Sequence, residues 1–231
     1  MVQFNLSQRE ITLKVVYYGP ALSGKTTNLQ VIHQMLDPQC RGRLMTLDTA
    51  DDRTLFFDLM PIFFRTSQGF KVKLKLYTVP GQVMHGSTRR IVLAGADGVV
   101  FVADSQLKEA RANQDAWANM VDNLKQNGID PDDIPIVIQF NKRDLPGVRS
   151  DEEIDRLKAG GKEAVFKAVA VRGDGVMETL HGAVQHTFRK LNATYEFERK
   201  FGLTEQEFLH SMFKNVDLKA AGAIVRDDDR A

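Results

Sequence analysis

Residues 19–26 read GPALSGKT and match the pattern G-x-x-x-x-G-K-[ST]. A run typical of a β-strand, ITLKVVYYG, precedes this segment, and a helical pattern, GKTTNLQVIHQML, overlaps its end. A glycine-rich turn between a strand and a helix presents backbone N–H groups at a helix N-terminus, where they bind phosphate. The segment therefore predicts an α/β fold with a phosphate-binding loop rather than a chance turn.

Strand and helix patterns alternate along the rest of the chain. Further strands are predicted at KVKLKLYTV, DGVVFVAD, DIPIVIQF and KEAVFKAVA, and further helices at KEARANQDAWANMVDNLKQ and GVMETLHGAVQHTFRKL. This alternation predicts a mostly parallel sheet with helices on both faces. The run TLFFDLMPIFF, with the turn TSQGF after it, predicts one antiparallel hairpin at the sheet edge. In such folds ligands bind beyond the carboxyl ends of the strands, so the motifs should converge there.

The phosphate-binding loop carries the first group of predicted site residues. Lys25 is expected to neutralise the β- and γ-phosphate oxygens, and the hydroxyl of Thr26 is expected to bind Mg²⁺. The loop residues predicted to bind the phosphates are Gly19, Ala21, Leu22, Ser23, Gly24, Lys25, Thr26 and Thr27.

Residues 141–144 read NKRD and directly follow the predicted strand IPIVIQF. The carboxylate of Asp144 can accept hydrogen bonds from N1–H and the exocyclic amine of guanine, whereas adenine lacks that pair of donors. Asn141 would connect the base N7 to the phosphate loop, and the stem of Lys142 would cover the base. A turn uses Asn and Asp in the same way, but the position after a strand favours guanine and argues against a small ATP-dependent kinase.

These motifs, together with TVPGQ at residues 78–82, resemble those of the Ras-like small GTPases. The segments VVYYGPALSGKTTNLQ, DDRTLFFDLMP, LYTVPGQV, DGVVFVADSQ and NKRDLP are similar, more narrowly, to the MglA family of bacterial and archaeal small GTPases. The resemblance runs from about residue 7 to residue 191. It implies a Ras-like P-loop G domain that binds GTP and GDP with Mg²⁺. That family also carries Thr-Val-Pro-Gly-Gln where other small GTPases have an Asp, so Thr78 follows the family.

The resemblance assigns the metal-binding side of the site. Thr54 matches the threonine whose hydroxyl meets Mg²⁺ in the GTP state, beside Thr26. Thr78 carries no charge, but its hydroxyl can accept from a metal-bound water. Asp51 and Asp52 either hold metal-bound water as well or form a solvated acidic loop; the sequence leaves both open.

The resemblance also implies two catalytic residues. Gln82, placed by Gly81, matches the glutamine that orients the attacking water, and Arg53 matches an arginine finger supplied within the same chain. The alternative for Arg53 is a surface ion pair with Asp51 or Asp52.

Two positions depart from the family pattern. Ala21 stands where the family usually has glycine, and its methyl group would point toward the γ-phosphate, which predicts slowed hydrolysis. At residues 167–171, KAVAV, Val169 stands where a serine is expected. The N–H of Ala170 can still meet guanine O6, but the serine hydroxyl that supports the loop is missing.

We expect a G domain at residues 1–193 and a C-terminal helical extension at residues 194–231 with an acidic tail. Gly202 can end a helix, and TEQE at residues 204–207 is typical of a capping box. The helix that follows has an apolar stripe, made of Phe208, Leu209, Met212, Phe213 and Val216. This stripe must dock on this domain, on a second copy of the chain or in a partner's groove. We expect docking on this domain, with Phe197 and Phe201 stapling the helix to the preceding one. On that reading removal of the extension spares the nucleotide site.

Composition limits the partners. The net charge is +1 and the single cysteine is Cys40; these predict no nucleic-acid binding and a reducing, cytoplasmic setting. We expect no signal peptide, membrane span or lipid anchor. The family resemblance implies a roadblock-type homodimer as GTPase-activating partner, effectors in cell polarity or gliding motility, and recruitment to cell poles by partners. The alternative is a scaffold that holds GTP with little turnover; Gln82 and Arg53 favour the enzyme.

Overall fold

The computed structural model describes residues 3–5, 7–47, 57–81, 86–214 and 216. Within these ranges the chain forms one mixed, mostly parallel sheet with helices on both faces, as the alternating pattern predicts. The strands are β1 (Gln3–Asn5), β2 (Glu10–Tyr18), β3 (Met45–Leu47), β4 (Phe57–Arg65), β5 (Lys71–Thr78), β6 (Gly98–Asp104), β7 (Ile136–Asn141) and β8 (Ala164–Lys167).

The strands lie in the order β3-β4-β5-β2-β6-β7-β8, and β1 pairs with β2. The run from β5 through β2, β6 and β7 to β8 is parallel, whereas β1, β3 and β4 pair antiparallel to their neighbours. The predicted hairpin of β4 and β5 is confirmed. Its predicted place at the sheet edge is wrong, because the short strand β3 pairs with the outer side of β4.

The helices are α1 (Lys25–Met35), α2 (Gly86–Leu93), α3 (Ala110–Gln126), α4 (Asp151–Gly160), α5 (Val176–Tyr195), α6 (Phe197–Phe201) and α7 (Glu205–Phe213). The sequence patterns predicted α1, α3, α5 and α7. They missed α2 and α4, although Ser150 and Glu153 form a full capping box at the start of α4.

The described residues form two apolar cores on opposite faces of the sheet. One joins α1, α5 and the C-terminal helices to the sheet, and the other joins α2, α3 and α4 to it. Met120 is fully buried in the second core, and the ring of Trp117 packs edge-on against Phe101 with 5.0 Å between centroids. Met120 is therefore a core residue, whereas Trp117 is half-buried and packs against that core.

The C-terminal helix α7 packs against α5 and β4 in the same chain, which confirms docking on this domain. Phe208, 1 % exposed, lies with its ring 4.8 Å from that of Phe188 and 5.1 Å from that of Phe64. Gly202 ends α6 with φ 65°, as predicted. The Thr204 hydroxyl accepts from Glu207 N at 3.2 Å. The reciprocal half of the capping box is absent, because the Glu207 carboxylate instead accepts from the backbone N–H of Ser67 in the β4–β5 turn.

Among the described residues, no helix is long and apolar enough to span a bilayer.

Candidate functional site

The predicted phosphate-binding loop joins the carboxyl end of β2 to α1. Gly24, at φ 101°, precedes α1, and among the described residues no side chain caps the helix start. The first N–H groups of α1 therefore remain available to an anion, and the helix dipole favours negative charge there. A Cβ on Gly24 would lie 2.2 Å from Asn141 Nδ2, so only glycine fits between the loop and the strand that carries NKRD.

Lys25 lies behind this loop with 6 % of its surface exposed. Its ammonium group donates to the carbonyl oxygens of Gly19 at 3.1 Å and Pro20 at 2.6 Å. Burial lowers the pKa of Lys25 to about 8. A bound phosphate anion would raise this pKa again, so the site is built to gain from negative charge.

A cleft of about 700 Å³ opens beside the loop. The lining residues are Ala21, Leu22, Gly24, Lys25, Thr26, Thr27, Thr46, Phe57, Asp58, Thr78, Val79, Pro80 and Gly81. Leu22 stands at its mouth, 89 % exposed and at φ 60°. Gly81 packs against the loop so closely that a Cβ on it would be 2.3 Å from Ala21 Cα. Uncapped N–H groups, a buried ammonium and tight glycine contacts together fit a phosphate chain.

Asp58, in β4, lies at the end of the cleft where Thr26 is predicted to bind Mg²⁺, and the sequence analysis missed it. It is 5 % exposed. Its Oδ2 accepts from the hydroxyls of Thr26 at 2.7 Å and Thr78 at 2.9 Å, and its Oδ1 accepts from Thr46 at 2.8 Å. The carboxylate that β5 lacks at Thr78 is thus supplied from the neighbouring strand.

A signal for Asp58 was present in the sequence. Alternate residues of β4 are buried, and Asp58 shares the buried face with Met60, Ile62 and Phe64. A carboxylate on the buried face of an apolar strand needs partners, and this requirement marks it as a candidate site residue.

The donor set at this end of the cleft fits Mg²⁺. Among the described residues, no cluster of three or more His, Cys, Asp or Glu side chains could hold a metal by itself. Mg²⁺ commonly binds through one or two carboxylates together with phosphate oxygens. The hydroxyl of Thr26 and the carboxylate of Asp58 supply the protein part of such a set.

The NKRD segment lies at the carboxyl end of β7, next to the phosphate loop. Asn141 Nδ2 donates to Ser23 O at 2.8 Å, and its Oδ1 accepts from Ala170 N at 2.9 Å. The N–H of Ala170 is therefore shared with Asn141, so a bond to guanine O6 would be a second bond of the same donor. Lys142, at φ 63°, pairs with Asp104 at 2.7 Å.

Asp144 is exposed, and within the described part of the chain nothing bonds to its carboxylate. It is thus available to accept hydrogen bonds from a ligand.

Other predicted residues lie outside the described ranges. These are Arg53, Thr54 and Gln82, together with Asp51 and Asp52. Their assigned roles remain predictions.

The chain is similar to known small GTPases. It is 46 % identical over 187 residues to mutual gliding-motility protein MglA of Myxococcus xanthus (strain DK1622), covering 81 % of this chain and 96 % of that protein. It is 24 % identical over 192 residues to ADP-ribosylation factor-like protein 6 of Caenorhabditis briggsae, covering 79 % and 90 %. It is 24 % identical over 200 residues to Ras-related protein Rab-32C of Dictyostelium discoideum, covering 85 % and 82 %. No protein-family model matches the chain.

Proposed function

Because this chain belongs to the MglA family of small GTPases, we propose that it binds GTP and GDP with Mg²⁺ and hydrolyses GTP slowly, as a molecular switch. The observation that carries the proposal is the contact of two loops through one side chain. Asn141 bonds to the phosphate loop at Ser23 and, at Ala170, to the loop of residues 168–175 between β8 and α5, here called the base loop. Two loops fixed side by side suit a ligand with a phosphate chain at one end and a base at the other.

The phosphate end is bound by charge and by oriented N–H groups. The N–H groups at the start of α1 face an anion without a competing side-chain cap, and Lys25 adds a buried positive charge. Because the Lys25 side chain is buried, its attraction for phosphate is stronger than that of an ammonium group in water.

At the other end of the phosphate chain, Thr26 and Asp58 would bind Mg²⁺. The Thr54 hydroxyl would join them in the GTP state. Mg²⁺ supplies charge neutralisation of the β- and γ-phosphate oxygens. Thr78 orients the Asp58 carboxylate through its hydroxyl. Asp58 would thus take the role in Mg²⁺ binding of the aspartate that other small GTPases have at the position of Thr78.

Hydrolysis requires that water be oriented and that developing phosphoryl charge be stabilised. We assign the first task to Gln82 and the second to Arg53, with Ala21 slowing the reaction by crowding the γ-phosphate. A roadblock-type homodimer acts as activating partner by positioning Arg53 and Gln82 rather than by inserting its own arginine.

The cellular role follows from the relative's name, which refers to gliding motility. We assign this chain to gliding motility or cell polarity, in the cytoplasm and recruited to cell poles by its partners. A fluorescent fusion that stays diffuse in gliding cells, in both nucleotide states, would contradict polar recruitment.

The base assignment is tested with Asp144→Asn. The amide cannot accept from both guanine donors, so GDP affinity should fall about 100-fold while affinity for xanthosine diphosphate rises. Asp115→Asn, an exposed aspartate in α3, is the matched control and should keep wild-type preference. Equal preference for GDP in Asp144→Asn and the wild type would place the base elsewhere.

Single-turnover measurements of GTP hydrolysis distinguish the proposed enzyme from the alternative, a scaffold that holds GTP with little turnover. Gln82→Leu and Arg53→Ala should each slow hydrolysis while GTP binding stays within about fivefold of wild type, since both act in the transition state. Ala21→Gly should speed it. A wild-type chain that retains GTP intact, with or without an activating partner, would favour the scaffold.

A further inference from the structure

Three fully buried polar side chains connect the phosphate loop to the base side of the site through the protein core. They are Asn28 in α1, Gln139 in β7 and Thr179 in α5, and each is 0 % exposed. Side chains of this kind are rare in a core unless each polar atom is paired.

The three side chains form one continuous set of hydrogen bonds. Asn28 and Gln139 make a reciprocal amide pair, in which each NH₂ group donates to the other's oxygen at 2.9 Å. Asn28 Nδ2 also donates to Gly24 O at 2.9 Å. Gln139 Nε2 also donates to the Thr179 hydroxyl at 2.9 Å, which donates to Gly175 O at 2.6 Å. The bonds thus run from Gly24, the residue that precedes α1, to Gly175, the residue that precedes α5.

Stability alone gives no reason for this network. Both amide groups use their N–H groups and their oxygen, and the Thr179 hydroxyl both donates and accepts. An apolar trio of similar volume would fill the same space without desolvating polar groups, at little or no cost in stability. What a satisfied polar network adds is a unique, rigid geometry between the segments that it joins.

A second bridge joins the same two loops. Asn141 lies two residues after Gln139 and on the same face of β7, because side chains alternate along a strand. It links Ser23 O to Ala170 N. Ser23 is adjacent to Gly24, and Ala170 lies in the same loop as Gly175. The loops are therefore connected twice, and only the Asn141 bridge lies where a base would touch it.

We propose that Asn28, Gln139 and Thr179 are positioning residues that hold the phosphate loop and the base loop at the spacing of one guanine nucleotide. This rests on the proposed function. None of the three touches the nucleotide; they act through Asn141 and the loop backbone. When the network is loosened, phosphate and base contacts cannot both be optimal. Release then becomes faster, and discrimination by Asp144 against inosine diphosphate, which lacks the exocyclic amine, becomes weaker.

The chain offers a matched pair of variants. Thr179 and Thr187 are both in α5, 0 % and 1 % exposed, and each hydroxyl donates to the carbonyl four residues earlier, at 2.6 and 2.7 Å. Of the two, Thr179 is the one that accepts from Gln139. Thr179→Val should release fluorescent GDP about three- to tenfold faster and prefer GDP over inosine diphosphate less. Thr187→Val should keep the wild-type rate and preference. Equal behaviour of the two variants would overturn the proposal.

A double variant separates positioning from folding. Asn28→Leu or Gln139→Leu alone leaves the oxygen of the remaining buried amide without its donor, so each should lower the thermal unfolding midpoint. Asn28→Leu with Gln139→Leu removes both amides, so its midpoint should recover while GDP release stays fast. If the release rate recovers with the midpoint, the network is only structural and the proposal fails. A wild-type chain that does not hold fluorescent GDP would instead refute the proposed function.

Discussion

Asp58 and Thr78 lie on neighbouring antiparallel strands and are joined by two hydrogen bonds. The Thr78 hydroxyl accepts from Asp58 N and donates to Asp58 Oδ2, both at 2.9 Å. Threonine at the end of β5 therefore orients a carboxylate that β4 carries. The pair places one carboxylate beside the Thr26 hydroxyl in the cleft, on the strand next to β5, and we propose that this carboxylate serves the metal side of the site.

Thr78→Asp should destabilise the protein, because it places a second carboxylate in contact with Asp58. Like charges in a buried site repel, and one of them must be protonated. We expect a thermal unfolding midpoint about 2–10 °C lower at neutral pH, measured with GDP and without Mg²⁺. Adding Asp58→Thr should restore much of the loss, since one carboxylate remains. A double variant no more stable than Thr78→Asp alone would show that the two positions do not share one charge.

Nucleotide affinity should depend on pH through Lys25. Its pKa is lowered by burial to about 8 in the unliganded chain, and a bound diphosphate raises it. Below the pKa of the unliganded chain, the ammonium is charged with and without GDP, so the affinity does not change with pH. Above that pKa, GDP binding must be accompanied by uptake of a proton. The GDP dissociation constant should therefore rise up to about tenfold per pH unit above about pH 8. Calorimetry in buffers of different ionisation enthalpy should show proton uptake, and its absence at about pH 9 would contradict this account.

The C-terminal extension should contribute strongly to stability. The sequence suggested a segment that could be removed without loss of the nucleotide site. Phe208, buried between Phe64 and Phe188, gives the opposite expectation. Phe208→Ala should lower the unfolding midpoint by about 6–20 °C, the cost of emptying a buried aromatic site. Phe213→Ala, at a half-buried position of the same helix, is the control and should cost less. Equal midpoints for Phe208→Ala and the wild type would show that the extension is dispensable.

The parts of the fold that local chemistry specifies were predictable. The phosphate loop needs glycine at Gly24 and lysine at Lys25, and the run that ends at Asn141 is a strand by composition. The edge of the sheet was not predictable from the sequence, because β3 is three residues long and is specified by its pairing with β4 rather than by a local pattern. Helix α2 was missed because its pattern, GSTRRIVL, is only eight residues long.

The polar contacts of the site were predictable only in part. Asp144 and Asn141 belong to a local motif with a known ligand geometry. Asp58, Asn28 and Gln139 do not belong to a local motif. The role of each depends on a hydrogen-bond partner in another strand or helix. A buried-face position occupied by a polar residue is a sequence signal that such a partner exists, but it does not say which.

The most direct measurement of the central claim is the Mg²⁺ dependence of GDP release in Asp58→Asn. The amide keeps the shape of the side chain but removes the charge. Half-maximal slowing of GDP release should therefore require an Mg²⁺ concentration about tenfold or more above that of the wild type. With the metal chelated, variant and wild type should release GDP at the same rate. Asp97→Asn, at a buried carboxylate before the amino end of β6, is the control and should match the wild type. An Asp58→Asn curve that superimposes on the wild-type curve would contradict the claim that β4 supplies the missing carboxylate.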